Sequence, residues 1–143
     1  MNKEIFDAYL ETWNDGNYDR LDKYVSENVI RNVPETTYQS TNNLSGLKEV
    51  LNGFRTAFPN CQVTIDEAHF TEDHSFAKFT FSGTNTGPGE FPPTGNAVSV
   101  PGGAIIRYED GKMVQEDVYY DVLGFMVQLR IIELPGEETA ASA

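Results

Sequence analysis

Apolar residues in the first part of the chain recur at helical spacing. Ile5, Phe6, Tyr9, Leu10 and Trp13 share one face of a predicted helix. Asn14-Asp15-Gly16-Asn17 ends it, with Gly16 suited to a left-handed cap. A short second helix is predicted over Tyr18 to Ser26, with Leu21, Tyr24 and Val25 inward. Val29 to Val33 reads as a brief strand ended by Pro34, and 35–43 as a polar loop. A third helix carries Leu47, Val50, Leu51, Phe54, Ala57 and Phe58 on one side, and Pro59 closes it.

The period then changes from helical to two. Residues 61–70 alternate as a strand, 71–74 make a turn, and Phe76 to Thr84 is a strand rich in aromatics and threonine. Gly87 to Gly95 holds three prolines and three glycines and reads as a loop. Ala97 to Glu109 is a long strand, with a kink or bulge expected at Pro101-Gly102-Gly103. Asp110-Gly111 is a hairpin signal, and Met113 to Val122 is the return strand. Leu123 to Leu134 is a strand extension or a short helix. Helices first and antiparallel strands afterwards make an α+β domain, a curved sheet wrapped by the helices around a pocket. The pattern predicts a single domain over 1–134 and a flexible acidic tail over 135–143.

Composition narrows the function classes. Among 143 residues, 22 acids against 10 bases give a net charge of -12. A polyanion needs a basic surface to displace its counterions, so nucleic acid is not an expected partner, and neither is an anionic membrane. The lone cysteine, Cys61, allows no internal disulfide and reads as a small buried hydrophobe. Acids interrupt the first apolar residues, so no secretory signal or membrane span is predicted and the expected location is cytoplasmic.

Alternation along the last strand puts Met113, Gln115, Asp117, Tyr119 and Asp121 on one face, and Val114, Glu116, Val118, Tyr120 and Val122 on the other. The second face is the more apolar and on composition faces the core. The first combines acids with aromatic bulk and suits either solvent or a pocket wall. Asp121 lies next to Tyr120, Val122, Leu123 and Phe125, and desolvation there would raise its pKa toward that of a general base. Tyr119 shares its face and is placed to donate to a substrate oxygen or to pack. Trp13, with Tyr9 and Phe6, is core or pocket lining. His69 and His74 flank a turn without a compact metal-ligand spacing and read as exposed turn residues.

Several short motifs together give a resemblance. They are Ala57-Phe58-Pro59-Asn60, Gly83-Thr84-Asn85-Thr86-Gly87, Pro93-Thr94-Gly95-Asn96, Asp110-Gly111-Lys112 and Asp121-Val122-Leu123-Gly124-Phe125, followed by Gln128-Leu129. In this order and spacing the chain, over about residues 5–130, resembles the SnoaL-like polyketide cyclases of the nuclear-transport-factor-2-like fold. The resemblance implies a cone-shaped α+β fold with a deep pocket, and homo-oligomers formed through the sheet. It implies an intramolecular aldol cyclisation without metal or cofactor, in which the aspartate matching Asp121 is the acid/base group.

Three positions depart from the family's pattern. Asn85, Asn32 and Asp117 stand where relatives often carry histidine. Asparagine donates hydrogen bonds but does not shuttle protons at neutral pH. The expected activity is therefore cofactor-independent acid/base chemistry next to a carbonyl, of cyclase or isomerase type, on a small hydrophobic compound. Asp121 is the expected base, and Asn85, Tyr119, Asn32, Asp117 and Trp13 the expected substrate contacts. The alternatives are a non-catalytic binding module and a dimerising scaffold whose pocket is filled by its own side chains.

Overall fold

The computed structural model describes residues 2–34 and 39–136. Helix α1 spans Asn2–Asp15 and ends where Gly16, at φ 74°, donates its N–H to Thr12 O at 2.9 Å. The second helix is shorter than its pattern predicts: a 3-10 turn at Tyr18–Arg20 leads into α2, Leu21–Tyr24. Strand β1 then runs Val25–Asn32. Strand pairing overrides the helical pattern here, since Val25 lies beside Met113 and both side chains are fully buried. The polar Ser26-Glu27-Asn28 falls in a register shift of this pairing, which hides the strand's alternation in the sequence.

Helix α3, Leu44–Ala57, is capped by Asn43, whose side chain accepts from Gly46 N at 2.7 Å. It buries Leu44, Leu47 and Leu51 against the sheet. Strands β2 (Gln62–Phe70), β3 (His74–Thr84), β4 (Ala97–Glu109) and β5 (Lys112–Tyr120) follow, and helix α4 occupies Val122–Gln128. The strand order is β1-β5-β4-β3-β2 in a curved, unclosed sheet. Three of its pairings are antiparallel, as expected, whereas β1 joins β5 parallel.

Asp110 and Gly111 both take positive φ, 51° and 74°, the backbone of a hairpin turn whose twist matches its strands. The expected irregularity at Pro101-Gly102-Gly103 is absent, and the β3–β4 register runs unbroken through it. Gly102 is small for a different reason. A Cβ there would lie 2.4 Å from Phe79 Cζ and 2.9 Å from Tyr120 Cβ, so the glycine makes room for two aromatic side chains. The irregularity lies further along, where Tyr108 pairs with Met113 but Arg107 with Gln115. The chain from Pro135 to Gly136 is a turn, and the remainder of the predicted tail lies outside the described residues.

Candidate functional site

The inner face of the sheet, α1 and α3 enclose a half-open cavity of about 90 Å³. Its wall is aromatic and aliphatic, from Phe6, Trp13, Phe54, Phe79, Phe81 and Phe125 among others. Polar side chains enter at two places. One is Tyr9, Arg31 and Glu116, and the other is Gln39 and Tyr120.

Arg31 on β1 and Glu116 on β5 are direct register partners in the parallel pair. Their side chains are only 4% and 6% exposed, and Arg31 Nη1 donates to Glu116 Oε1 at 2.6 Å. Tyr9, from α1, donates its hydroxyl to the same Oε1 at 2.7 Å. Arg31 Nη1 also reaches Tyr9 Oη at 3.4 Å, and the guanidinium carbon lies 5.7 Å from the Trp13 ring centroid. Burial opposes the charge on Arg31, but the Glu116 carboxylate and the Tyr9 oxygen more than offset it and hold its pKa above the usual arginine value. Three atoms of this cluster carry no hydrogen bond among the described residues: Arg31 Nε, which is buried, Arg31 Nη2 and Glu116 Oε2. The site thus holds two guanidinium nitrogens and one carboxylate oxygen without hydrogen bonds beside an apolar cavity.

The phenols around this core share an electrostatic property. Burial pushes the Tyr9 hydroxyl far above the ordinary 10, Tyr108 to about 12, and Tyr120 upward as well. All three stay protonated at neutral pH. A raised folded-state pKa means that the folded chain holds the proton more tightly than the unfolded one. The stability it contributes is therefore complete below about pH 10 and is lost as pH rises through the folded values. Melting temperature followed against pH is expected to fall above about pH 10, and less steeply in Tyr9→Phe.

The sequence-predicted site residues distribute differently. Only Trp13 lines the cavity. Asp121 is exposed, does not line the cavity, and caps α4: its Oδ1 accepts from Gly124 N at 2.9 Å. A Cβ on Gly124 would lie 2.1 Å from Asp121 Oδ2, so the glycine belongs to the cap. Tyr119, 62% exposed, lies on the outer face of the sheet. Asn32 and Asp117 meet on that face too, with Asn32 Nδ2 donating to Asp117 Oδ1 at 2.8 Å. Asn85 is buried but ties loops together, donating to Ala57 O and accepting from Thr94 N.

Glu116, Val118 and Tyr120 line the cavity, so the alternation of β5 turns Asp117 and Tyr119 to the other face, and Asp121 lies past the end of the strand. The β4–β5 register shift, which leaves Val114 unpaired, moves only Met113 from its expected face, so that Met113 and Glu116 are both buried. The signal that reveals Arg31 and Glu116 in the sequence is a single charge on an apolar strand face. Arg31 alternates with Val29 and Val33, and Glu116 shares its face with Val118. The two histidines pair locally, His69 with Glu67 and His74 with Asp73.

The SnoaL-like polyketide cyclase model matches residues 3–129. The chain belongs to this family. No curated protein matches it. Among solved structures, TsrD from Streptomyces laurentii is similar at 24% identity and TM-score 0.79, over 91% of this chain and 95% of that one. IdmH from Streptomyces antibioticus, a candidate polyketide cyclase, is similar at 19% identity and TM-score 0.76, over 90% and 97%. A protein of ketosteroid isomerase-like fold from Catenulispora acidiphila matches at 16% identity and TM-score 0.74, over 89% and 92%. At these identities the structures establish the fold, while family membership supports a cyclase-type role. No described helix of this family member is long and apolar enough to cross a membrane.

Proposed function

We propose that the protein binds a small hydrophobic carbonyl compound in the cavity and performs cofactor-independent acid/base chemistry next to that carbonyl. The observation that carries this reading is the buried Arg31–Glu116 pair facing an otherwise apolar cavity. A buried ion pair is a poor stabilising device, since an apolar pair of similar volume generally does as well or better. Its retention in a cavity wall is better explained by what it does to a ligand.

The chemistry balances without further reagents. Glu116 Oε2 takes the proton from the carbon next to the carbonyl, and the C–H electron pair becomes the enolate. Arg31 Nε–H donates to the developing oxyanion in a site largely closed to water. In a cyclase the enolate carbon then attacks a second carbonyl of the same molecule, and the proton passes from Glu116 to the new alkoxide. In an isomerase it returns to another carbon. Asp121 is the other assignment for the base, favoured by its match to the family's acid/base aspartate. Deuterium incorporation at the α-carbon of a carbonyl probe, compared between Glu116→Gln and Asp121→Asn, separates the two. A non-catalytic binding module would retain the probe without exchange.

The proposal includes a homodimer formed through the outer face of the sheet. Ile30, Phe76, Ile105 and Tyr119 are 41%, 42%, 37% and 62% exposed on that face, and Phe76 and Ile105 are register neighbours. Light scattering is expected to give twice the chain mass for the native protein and the chain mass for Ile105→Lys. A native monomer would remove this part of the proposal. Action in the cytoplasm completes the reading and fits a free, buried Cys61.

A further inference from the structure

The second polar place in the cavity has a hydrogen-bonding pattern of its own. Gln39 Nε2 donates to Tyr120 Oη at 3.0 Å. Because that oxygen already accepts, its own proton is free to donate, and no acceptor for it exists among the described residues. The other end of the amide, Gln39 Oε1, is buried and has no partner among the described residues. Leaving a buried amide oxygen unsatisfied is costly, and the cost is removed when a ligand supplies a donor. Gln39 and Tyr120 both line the cavity. They therefore present one acceptor and one donor side by side, held together by their own hydrogen bond. The smallest group that satisfies both is a hydroxyl, which donates to Gln39 Oε1 and accepts from Tyr120 O–H.

From this pattern we infer that Gln39 and Tyr120 form a specificity subsite for a hydroxyl group on the bound compound, separate from the Arg31–Glu116 cluster. The inference rests on the cavity being the binding site for the carbonyl compound, and it deepens that reading by naming a second functional group. The ligand class is a hydroxylated carbonyl compound, such as a phenol bearing a ketone. Burial supports the assignment by raising the Tyr120 pKa, which keeps that phenol a donor. A site built to hydrogen-bond a hydroxyl discriminates strongly against the compound lacking it, because the site's own polar groups are then left unpaired.

Titration calorimetry with acetophenone and its 2′-, 3′- and 4′-hydroxy derivatives tests this. The protein is the native chain, Gln39→Leu and Tyr120→Phe, with thermal melts confirming that each variant folds. One hydroxy isomer is expected to bind the native protein about tenfold more tightly than acetophenone or better. That advantage is expected to fall to within about twofold in Gln39→Leu, and part of the way in Tyr120→Phe. Two results overturn the inference while leaving the cavity as the binding site: all four probes binding the native protein within about twofold of one another, or a hydroxyl advantage unchanged in both variants. Failure of all four probes to bind overturns the inference together with the reading it rests on.

Discussion

Replacing Arg31 by methionine while Glu116 is kept is expected to destabilise the protein by about 3–5 kcal/mol, because a carboxylate is left in a buried site without its counter-charge. For a chain of this size that corresponds to a drop in melting temperature on the order of 10 °C. The double variant Arg31→Met/Glu116→Leu is expected to recover most of this loss, and even to exceed the native stability, since two packed apolar side chains replace two desolvated charges. Tyr9 then retains its place on α1 but loses the acceptor for its hydroxyl, so the recovery is largest when Tyr9→Phe is added. Chemical denaturation of the single, double and triple variants measures these differences directly. A single variant as stable as the native protein would mean that the pair is not desolvated as its 4% and 6% side-chain exposures indicate.

The second large effect concerns activity. Glu116→Gln is close to isosteric, and its amide oxygen still accepts from Tyr9 and Arg31, but it leaves the buried guanidinium without its counter-charge, so a loss of stability comparable to that of Arg31→Met is expected and activity is read at a temperature where the variant is folded. The group can no longer take a proton. Loss of a general base typically costs about 10²–10⁴ in rate, and a loss of that size is expected in any α-proton transfer catalysed in the cavity. The stable Arg31→Met/Glu116→Leu variant should be similarly inactive. Together the two experiments separate the function of the pair from its stability: the apolar replacement keeps the fold and removes the chemistry.

Much of the fold is legible in the sequence because its local devices act over a few residues. Gly16 ends the first helix, Asp110-Gly111 forms the hairpin, and the change of period from helical to two marks the start of the sheet. The segment from Tyr18 to Asn32 is less legible, because its strand is specified by Met113 and Glu116, far away in sequence, rather than by its own pattern.

Several residues of the motifs that carry the family resemblance hold the fold together. Asp121 and Gly124 cap α4. Gln128 pairs with the backbone of Ser99 through both ends of its amide. Asn60 accepts from Thr84 N. Gly87 lies so close to Thr56 O that a Cβ would be 1.8 Å from it. Asn85, buried among Ala57, Thr94 and Asn96, locks the same corner. Phe125, from the same set of motifs, also lines the cavity.

The cavity was legible in part. Trp13, Tyr9 and Phe6 follow from helical spacing and do line it. The apolar face of the last strand, with Glu116 on it, is the face that composition favours. The residues matched by the resemblance lie elsewhere: Asp117 and Tyr119 on the opposite face, and Asp121 at the start of α4.

The most direct test of the account is α-proton exchange. With acetophenone in deuterated buffer, NMR reads the loss of the methyl proton signal with the native protein, Glu116→Gln and Asp121→Asn, each checked for folding. Asparagine also caps helices, so Asp121→Asn should keep α4 in place. The account predicts exchange above the buffer rate with the native protein, exchange near the buffer rate with Glu116→Gln, and a rate within about threefold of native with Asp121→Asn. Native-like exchange in Glu116→Gln, with loss in Asp121→Asn, would contradict it and return the base to the exposed end of the last strand.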